Sequence, residues 1–390
     1  MRSRSSWKLE RLYLDEKKVI CPTSLSEYIK DLAGNLHGHQ IKGIADFVFA
    51  IIEQRTAVQA GLAEVFGNQE AAGKRLARLL RNPRISPKEL SEMVFEQTLK
   101  QLSKVGKIRL AFDWTIENKQ YLLVISLVRN GRAIPIFWRG YEESRLKGKM
   151  KLIERAMLKR VLKRLKTKVG KRRIILTADR GFAAVETFRV LKREKIAFVI
   201  RVKCNTLMWL KGEWQSLKSI ELKEDGEKQK ISKVRYCKSD EEMLEMAVSC
   251  VKATDEAGDR WYLVSNMKWS AEKMVDEYRR RFWIEEGFRD VKWTLGFAKA
   301  RIKEIRAWTR MFSLHALAML VLASVESEIL LKDEKKGKEK MREVASRRKG
   351  GWDISLLRAT IKLLKRDRSL YNCLNPFIKL NLCNTLQNVS

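Results

Sequence analysis

Apolar residues recur at helical spacing through the first hundred positions. The pattern predicts helices over 24–32, 44–52, 57–66 and 71–80, with a glycine-bearing stretch at 34–43 between the first two. In the last of them, K-R-L-A-R-L-L-R-N, Leu76, Leu79 and Leu80 take one side, and Lys74, Arg75, Arg78 and Arg81 take the other. From position 108 the period shortens to that of a strand. IRLAFD (108–113), YLLVISLV (121–128) and AIPIFW (133–138) read as strands, the last two joined by a turn whose Asn130-Gly131 is a hairpin signal. Pro135 puts the third strand at a sheet edge, because proline has no N–H to give to a ladder. A basic amphipathic helix at 149–166 leads into a strand at 173–178, a helix at 183–194 and a strand at 197–202.

This order, an antiparallel meander followed by parallel crossovers, resembles the ribonuclease H-like fold. Short alternating segments over 204–266 (TLMWL, GEWQSL, KISKVRYC, WYLVSN) predict a β-rich insertion. Helices resume near 271, a lysine- and arginine-dense linker spans 332–351, and a basic amphipathic helix covers 352–366. The expected class is α/β: a ribonuclease H-like mixed sheet with a β-rich insertion, flanked by helical N- and C-terminal regions. The division is 1–105 helical, 106–203 first part of the core, 204–266 insertion, 267–325 second part of the core, and 326–390 a basic helical region.

Charge narrows the function. Lys and Arg outnumber Asp and Glu by 81 to 47, a net charge of +34, in a chain whose 45% hydrophobic content is that of a globular protein. Such an excess opposes compaction unless a polyanion neutralises it, and nucleic acid is the first choice. The basic side of the 71–80 helix then reads as phosphate-contacting, although a solvated charged face has the same pattern. An anionic membrane fits less well. The start of the chain has no apolar core of the signal-peptide kind. The most apolar stretch, 311–325, is short of the roughly twenty residues a span needs and reads as a buried core helix. A cytoplasmic, nucleoid-associated protein is expected, with its scattered cysteines reduced and mostly buried. His37 and His39 lack the neighbours of a zinc site.

Three acids stand out by position. Asp113 closes the first strand and Asp179 the fourth, and in this strand order those strands are neighbours. Two carboxylates side by side repel unless protonated or bridged by a cation, and hard oxygen donors suit Mg²⁺ or Mn²⁺. The run 278–292 reads as a helix. At about 100° per residue Tyr278, Arg281, Glu285 and Lys292 fall within roughly 60° of one another, while Glu286 and Asp290 point away. A plain salt-bridged helix surface gives the same Arg281–Glu285 spacing.

With Asp113 and the A-D-R-G-F around Asp179, the pattern Y-x₂-R-x₃-E-x₆-K at Tyr278, Arg281, Glu285 and Lys292 resembles the signature of the insertion-sequence-4 family of DDE transposases. The K-R-L-A-R-L-L-R-N segment followed by Pro83 is similar to that family's DNA-binding region. The resemblance implies a catalytic and metal-binding triad of Asp113, Asp179 and Glu285 holding two Mg²⁺ or Mn²⁺ ions. It implies phosphate contacts from Tyr278, Arg281 and Lys292, and double-stranded DNA as partner, both transposon terminal inverted repeats and target. It also implies a hairpin intermediate, strand transfer into target DNA, a homodimeric synaptic complex, and a base stacked on an aromatic ring, for which Trp261 is the counterpart.

One position departs from the pattern. Many relatives have Trp directly after the arginine; here Phe282 takes that place and Trp283 follows, which turns the indole by about 100°. Trp283 is therefore expected to be core. The same residues leave two alternatives open: a nuclease of the same core without strand transfer, and a transposase-derived DNA-binding protein that has lost catalysis.

Overall fold

A computed structural model describes residues 21–374 apart from 33–34, 103–106, 130, 170–173, 211, 221–226, 239–240, 252–258, 333, 346, 349–350 and 353–354. Asn130 of the expected hairpin turn and the outer ends of the 1–105 and 326–390 regions lie outside the described residues.

The N-terminal pattern becomes helices α1 (Thr23–Leu32), α2 (Gly38–Gln54), α3 (Gln59–Ala63) and α4 (Gln69–Arg81). Helix α5 (Pro87–Leu102) was not expected. Its signal was present: Pro87 opens the helix, and Ser86 accepts from the Leu90 N–H through its carbonyl (3.0 Å) and from the Glu89 N–H through its hydroxyl (3.4 Å). On α4 the leucines are buried and Lys74, Arg75, Arg78 and Arg81 are exposed, as the periodicity required.

One mixed sheet carries all the long strands, in the order β3-β2-β1-β4-β5-β10-β9-β8-β6-β7. Strands β1 (Ile108–Glu117), β2 (Gln120–Arg129) and β3 (Arg132–Glu142) form the antiparallel meander. Helix α6 (Glu143–Leu146) and α7 (Met150–Val169) lead to β4 (Ile174–Ala178), which runs parallel to β1; α8 (Val185–Arg193) leads to β5 (Ala197–Val202), parallel to β4. β3 is the edge, and the β2–β3 register shifts next to Pro135, leaving Ile136 as the bulged residue beside the one that cannot donate. Gly131 adopts φ +74°, the conformation a two-residue hairpin turn demands.

The segment expected as an insertion is β-rich and does not form a sheet of its own. Strands β6 (Leu207–Leu210), β7 (Glu213–Ser216), β8 (Lys228–Tyr236), β9 (Glu242–Val251) and β10 (Asp259–Ser265) extend the same sheet, because β10 pairs antiparallel with β5. Met208, Leu210, Val234, Leu244 and Met246 share one core with Phe112, Leu176 and Phe198.

Helices α9 (Ala271–Arg279), α10 (Phe282–Arg289) and α11 (Ile305–Lys332) follow. The most apolar window of α11 is long enough to span a membrane, and 89% of it is buried inside the molecule. It is the central core helix. The N-terminal helices and the C-terminal α12 (Glu334–Arg342) and α13 (Leu356–Arg366) pack around it in one hydrophobic cluster. Two of its polar side chains tie it to neighbours: Ser313 accepts from Trp138 Nε1 (3.0 Å), and Arg310 donates to the Leu80 and Ile85 carbonyls (2.6 Å each). Cys21, Cys204, Cys237 and Cys373 form no disulfide, as expected, but none is fully buried. They sit in turns and at element ends, where chain direction changes and the core does not reach.

Candidate active site

In β1, Arg109, Ala111 and Asp113 point to the sheet face covered by α9, α10 and α11, because side chains alternate along a strand. Asp113 lies within β1, which continues to Glu117, and not at its end as the sequence suggested. The end that matters is that of the parallel pairing. The β1–β4 register closes at Phe112↔Ala178, so Asp113 and Asp179 are the next residues on adjacent strands. Asp179 starts a tight 3₁₀ turn, Arg180–Phe182, its carbonyl accepting from the Phe182 N–H at 2.9 Å.

The third carboxylate comes from the helical pair α9–α10. This is not the single helix that was expected. The chain tightens at 280–281, where the Arg281 N–H reaches the Tyr278 carbonyl (2.8 Å) and the Ile284 N–H the Arg281 carbonyl (2.9 Å). It then widens into a π turn at Asp290–Thr294, with the Leu295 N–H on the Asp290 carbonyl (2.8 Å). α10 lies so close to the sheet edge that a Cβ on Gly287 would stand 2.2 Å from the Ala133 carbonyl oxygen; only glycine fits there.

Five of the predicted residues come together. Tyr278, fully buried, donates its hydroxyl to Asp179 Oδ1 (3.1 Å). Arg281, also buried, stands between two acids: 2.8 Å from Glu285 Oε1 and 3.7 Å from Asp113 Oδ2. Its Nε is buried without a hydrogen-bond partner, a donor still to be satisfied. Burial pushes the Asp113 carboxyl up to about 6; Arg281 and the Trp114 N–H oppose that rise, and the charges of Asp179 and Glu285 add to it. The Tyr278 phenol is also raised, by burial first, with Arg281 opposing and Asp179 assisting. Glu286 and Asp290 point away as expected, to Arg289 (2.8 Å) and to the buried Arg132 (3.4 Å).

Two predicted residues stand apart from that centre. Lys292 donates to the Ile116 carbonyl (2.9 Å) and pairs with Glu117 (3.4 Å), further along β1 than Asp113. Trp261, in β10, is only 5% exposed; it packs edge-on against Tyr278 (5.1 Å) and stacks on Phe282 (5.6 Å). Phe282 is the exposed ring of that stack, at 39%, while Trp283 packs against the main core as expected. The basic residues of α4 form a separate surface: Lys74 pairs with Glu70, Arg75 pairs with Asp46 (3.2 Å) and lies over Phe66, and Arg78 and Arg81 make no ion pair among the described residues.

Sequence reasoning missed the clamp that holds the site together. Arg109 grips Glu277 through two hydrogen bonds (2.7 and 3.0 Å), and Lys273 (3.0 Å) and Arg280 (3.3 Å) complete the cage. Burial alone would raise the Glu277 carboxyl, yet Arg109 leads these cations in holding it down at about 2. The clamp ties α9 to β1 one helical turn before Arg281. Glu154 of α7 is a second missed support, buried and accepting from Trp114 Nε1 (2.9 Å). Neither acid has a sequence signal for this role, since the contact that ties each to β1 comes from a residue far away along the chain.

Among the described residues no three His, Cys, Asp or Glu side chains gather into a ready-made cation site. Arg281 occupies the position between Asp113 and Glu285 instead. The donor set still suits a divalent ion: three hard carboxylates, of which Asp113 is half-buried with its charge incompletely compensated.

Residues 151–321 match the family model for the transposase DDE domain. The match runs from α7 into α11; it includes Asp179 and the whole of α9 and α10, and it begins after Asp113. A search of curated proteins found no match. The chain carries a transposase DDE domain, the unit of a polynucleotidyl transferase.

Proposed function

We propose that this protein is a cut-and-paste DNA transposase of the insertion-sequence-4 type with a ribonuclease H-like core, in which Asp113, Asp179 and Glu285 are the catalytic acids. The observation that carries the reading is Arg281 held between Asp113 and Glu285, with Asp113 and Asp179 each following the last β1–β4 pair; Asp179, Arg281 and Glu285 lie inside the matched transposase DDE domain and Asp113 precedes it.

The three acids would hold divalent ions, Mg²⁺ or Mn²⁺, of the kind such domains typically use. When bound, two such ions lower the pKa of an attacking water or hydroxyl and stabilise a leaving 3′ oxygen. The chain's own groups do the rest. Arg281 presents an unspent N–H for a phosphate oxygen, and its planar fork grips one better than lysine does. Tyr278 orients Asp179 through its hydroxyl, and the Arg109–Glu277 clamp fixes the helix from which Tyr278 and Arg281 project. Lys292, tied to the end of β1, lies where a neighbouring phosphate passes. Phe282 offers an exposed ring to an unpaired base, with Trp261 stacked behind it as support.

The same reading covers cleavage at terminal inverted repeats through a hairpin intermediate, strand transfer into target DNA, a homodimeric synaptic complex, and a site of action at a prokaryotic nucleoid in the cytoplasm. The segment boundaries drawn from the sequence belong to it too. Purified protein incubated with Mg²⁺ and a duplex carrying the inverted repeats that flank its gene tests the proposal. Wild type is expected to cut and then join a 3′-hydroxyl to a target plasmid, and Asp179→Ala to do neither. Cutting by the variant would refute the assignment of the acids. Cutting by wild type without joining would leave a nuclease, and binding without cutting a DNA-binding descendant.

A further inference from the structure

Exposed positions on α10 and the π turn form one stripe: Phe282, Glu285, Arg289, Lys292 and Trp293, with Lys292 partly covered. The last of these is unusual. Trp293 is 68% exposed, the most of any large hydrophobic side chain among the described residues. The π turn accounts for its position. The widened turn buries Asp290, Val291 and Thr294 and leaves the indole facing outward. Trp293 lies eight residues beyond Glu285, about 12 Å along a helical axis at 1.5 Å per residue. Its neighbour Lys292 is fastened to Ile116, three positions past Asp113 and itself half exposed.

We infer that Trp293 is a stacking platform for a nucleobase of the DNA strand beside the reacting phosphate, on the opposite side of Glu285 from Phe282. One exposed apolar side chain alone would need no explanation; what marks this surface is that Trp293 and Phe282 are exposed rings on either side of Glu285 among basic residues. Here Lys299 and Arg301 follow it in sequence, and Arg289 and Lys292, paired with Glu286 and Glu117, precede it, in a chain of net charge +34, so a polyanion is the complementary partner. Aromatic rings interleaved with cations are what an unpaired strand binds, because every base has a face to stack and every linkage a charge. The inference rests on the proposed function for the identity of the ligand, and Trp293 adds a contact outside the set of acids, Tyr278, Arg281 and Lys292.

The test uses the full chain in EDTA, with fluorescence anisotropy on two labelled probes: a blunt duplex, and the same duplex with an unpaired single-stranded end. Trp293→Ala is expected to weaken binding to the unpaired-end probe by about 5- to 150-fold, the range of one base–aromatic stack. It should change binding to the blunt duplex less than twofold, and Trp293→Phe should restore most of the loss. Equal affinity of wild type and Trp293→Ala for the unpaired-end probe would overturn the inference. So would an equal loss on both probes, or a change only in oligomeric state by sedimentation, which would assign the indole to a protein contact. Failure of the wild type to bind either probe would instead refute the functional reading itself.

Discussion

Asp113 is caught between two demands. To hold the proposed cation its carboxylate must be charged, yet burial pushes its pKa to about 6, with Asp179 and Glu285 adding to the rise. A raised folded-state pKa means that the native protein keeps a proton the unfolded chain has already lost. Stability therefore falls as pH rises from about 4 to about 6, and above that window the ionised group is a net penalty. Asp113→Asn is accordingly expected to stabilise the metal-free protein at pH 7.5 by about 1–3 kcal/mol, a gain that vanishes near pH 4. The same variant should not cut DNA, and wild-type cutting should fall as pH drops through about 6, where the proton competes with the cation. Thermal unfolding at the two pH values decides the point; a less stable variant at pH 7.5 would show that the Arg281 contact outweighs desolvation.

At the level of elements, the site depends on how tightly α10 lies on β3. Gly287 has the Ala133 carbonyl where a methyl group would go, and β3 is held in place by β2 along its whole length. Gly287→Ala must push α10 outward, at a cost of about 1–3 kcal/mol for overpacking. Since Glu285 is two residues away, cleavage should drop more than DNA binding does. Retained cleavage with an unchanged Tm would mean that the strand yields. The interrupted helix makes a related point about legibility. The spacing of Tyr278, Arg281 and Glu285 was readable because each step spans about one helical turn, and a tightened turn keeps it. Lys292 lies beyond the point where the π turn begins, so its direction could not be read from 100° per residue.

Over the whole molecule, charge is distributed rather than concentrated. Arg78 and Arg81 of α4 are exposed without ion pairs among the described residues, while Arg109, Arg129, Arg132 and Arg310 are spent inside the protein on carboxylates and carbonyls. Of these six, only Arg78 and Arg81 are placed to contact phosphate. Replacing both Arg78 and Arg81 by alanine should reduce the slope of log affinity against log salt by about 1.8, at roughly 0.9 per phosphate contact, with Tm unchanged. A salt titration of duplex binding measures it, and an unaltered slope would leave α4 as a solvated surface. The net charge of +34 thus overstates the charge available to DNA.

By itself the sequence determined the strand order of the first five strands, the edge position of β3, the amphipathic α4, and the grouping of Asp113, Asp179, Tyr278, Arg281 and Glu285. The edge position, the amphipathic α4 and the common face of Tyr278, Arg281 and Glu285 follow from local geometry: a proline without an N–H and one turn along a helix; the strand order and the joining of the three acids rest on the resemblance to a known fold and family. Only the tertiary structure decided that Trp261 is covered and Trp293 bare, that the β-rich segment extends the main sheet, and that the helices at both ends share one core around α11. It alone revealed Glu277 as the anchor of α9. These properties depend on which residues distant in the chain pack across from one another, and burial between such partners leaves no period in the sequence to read.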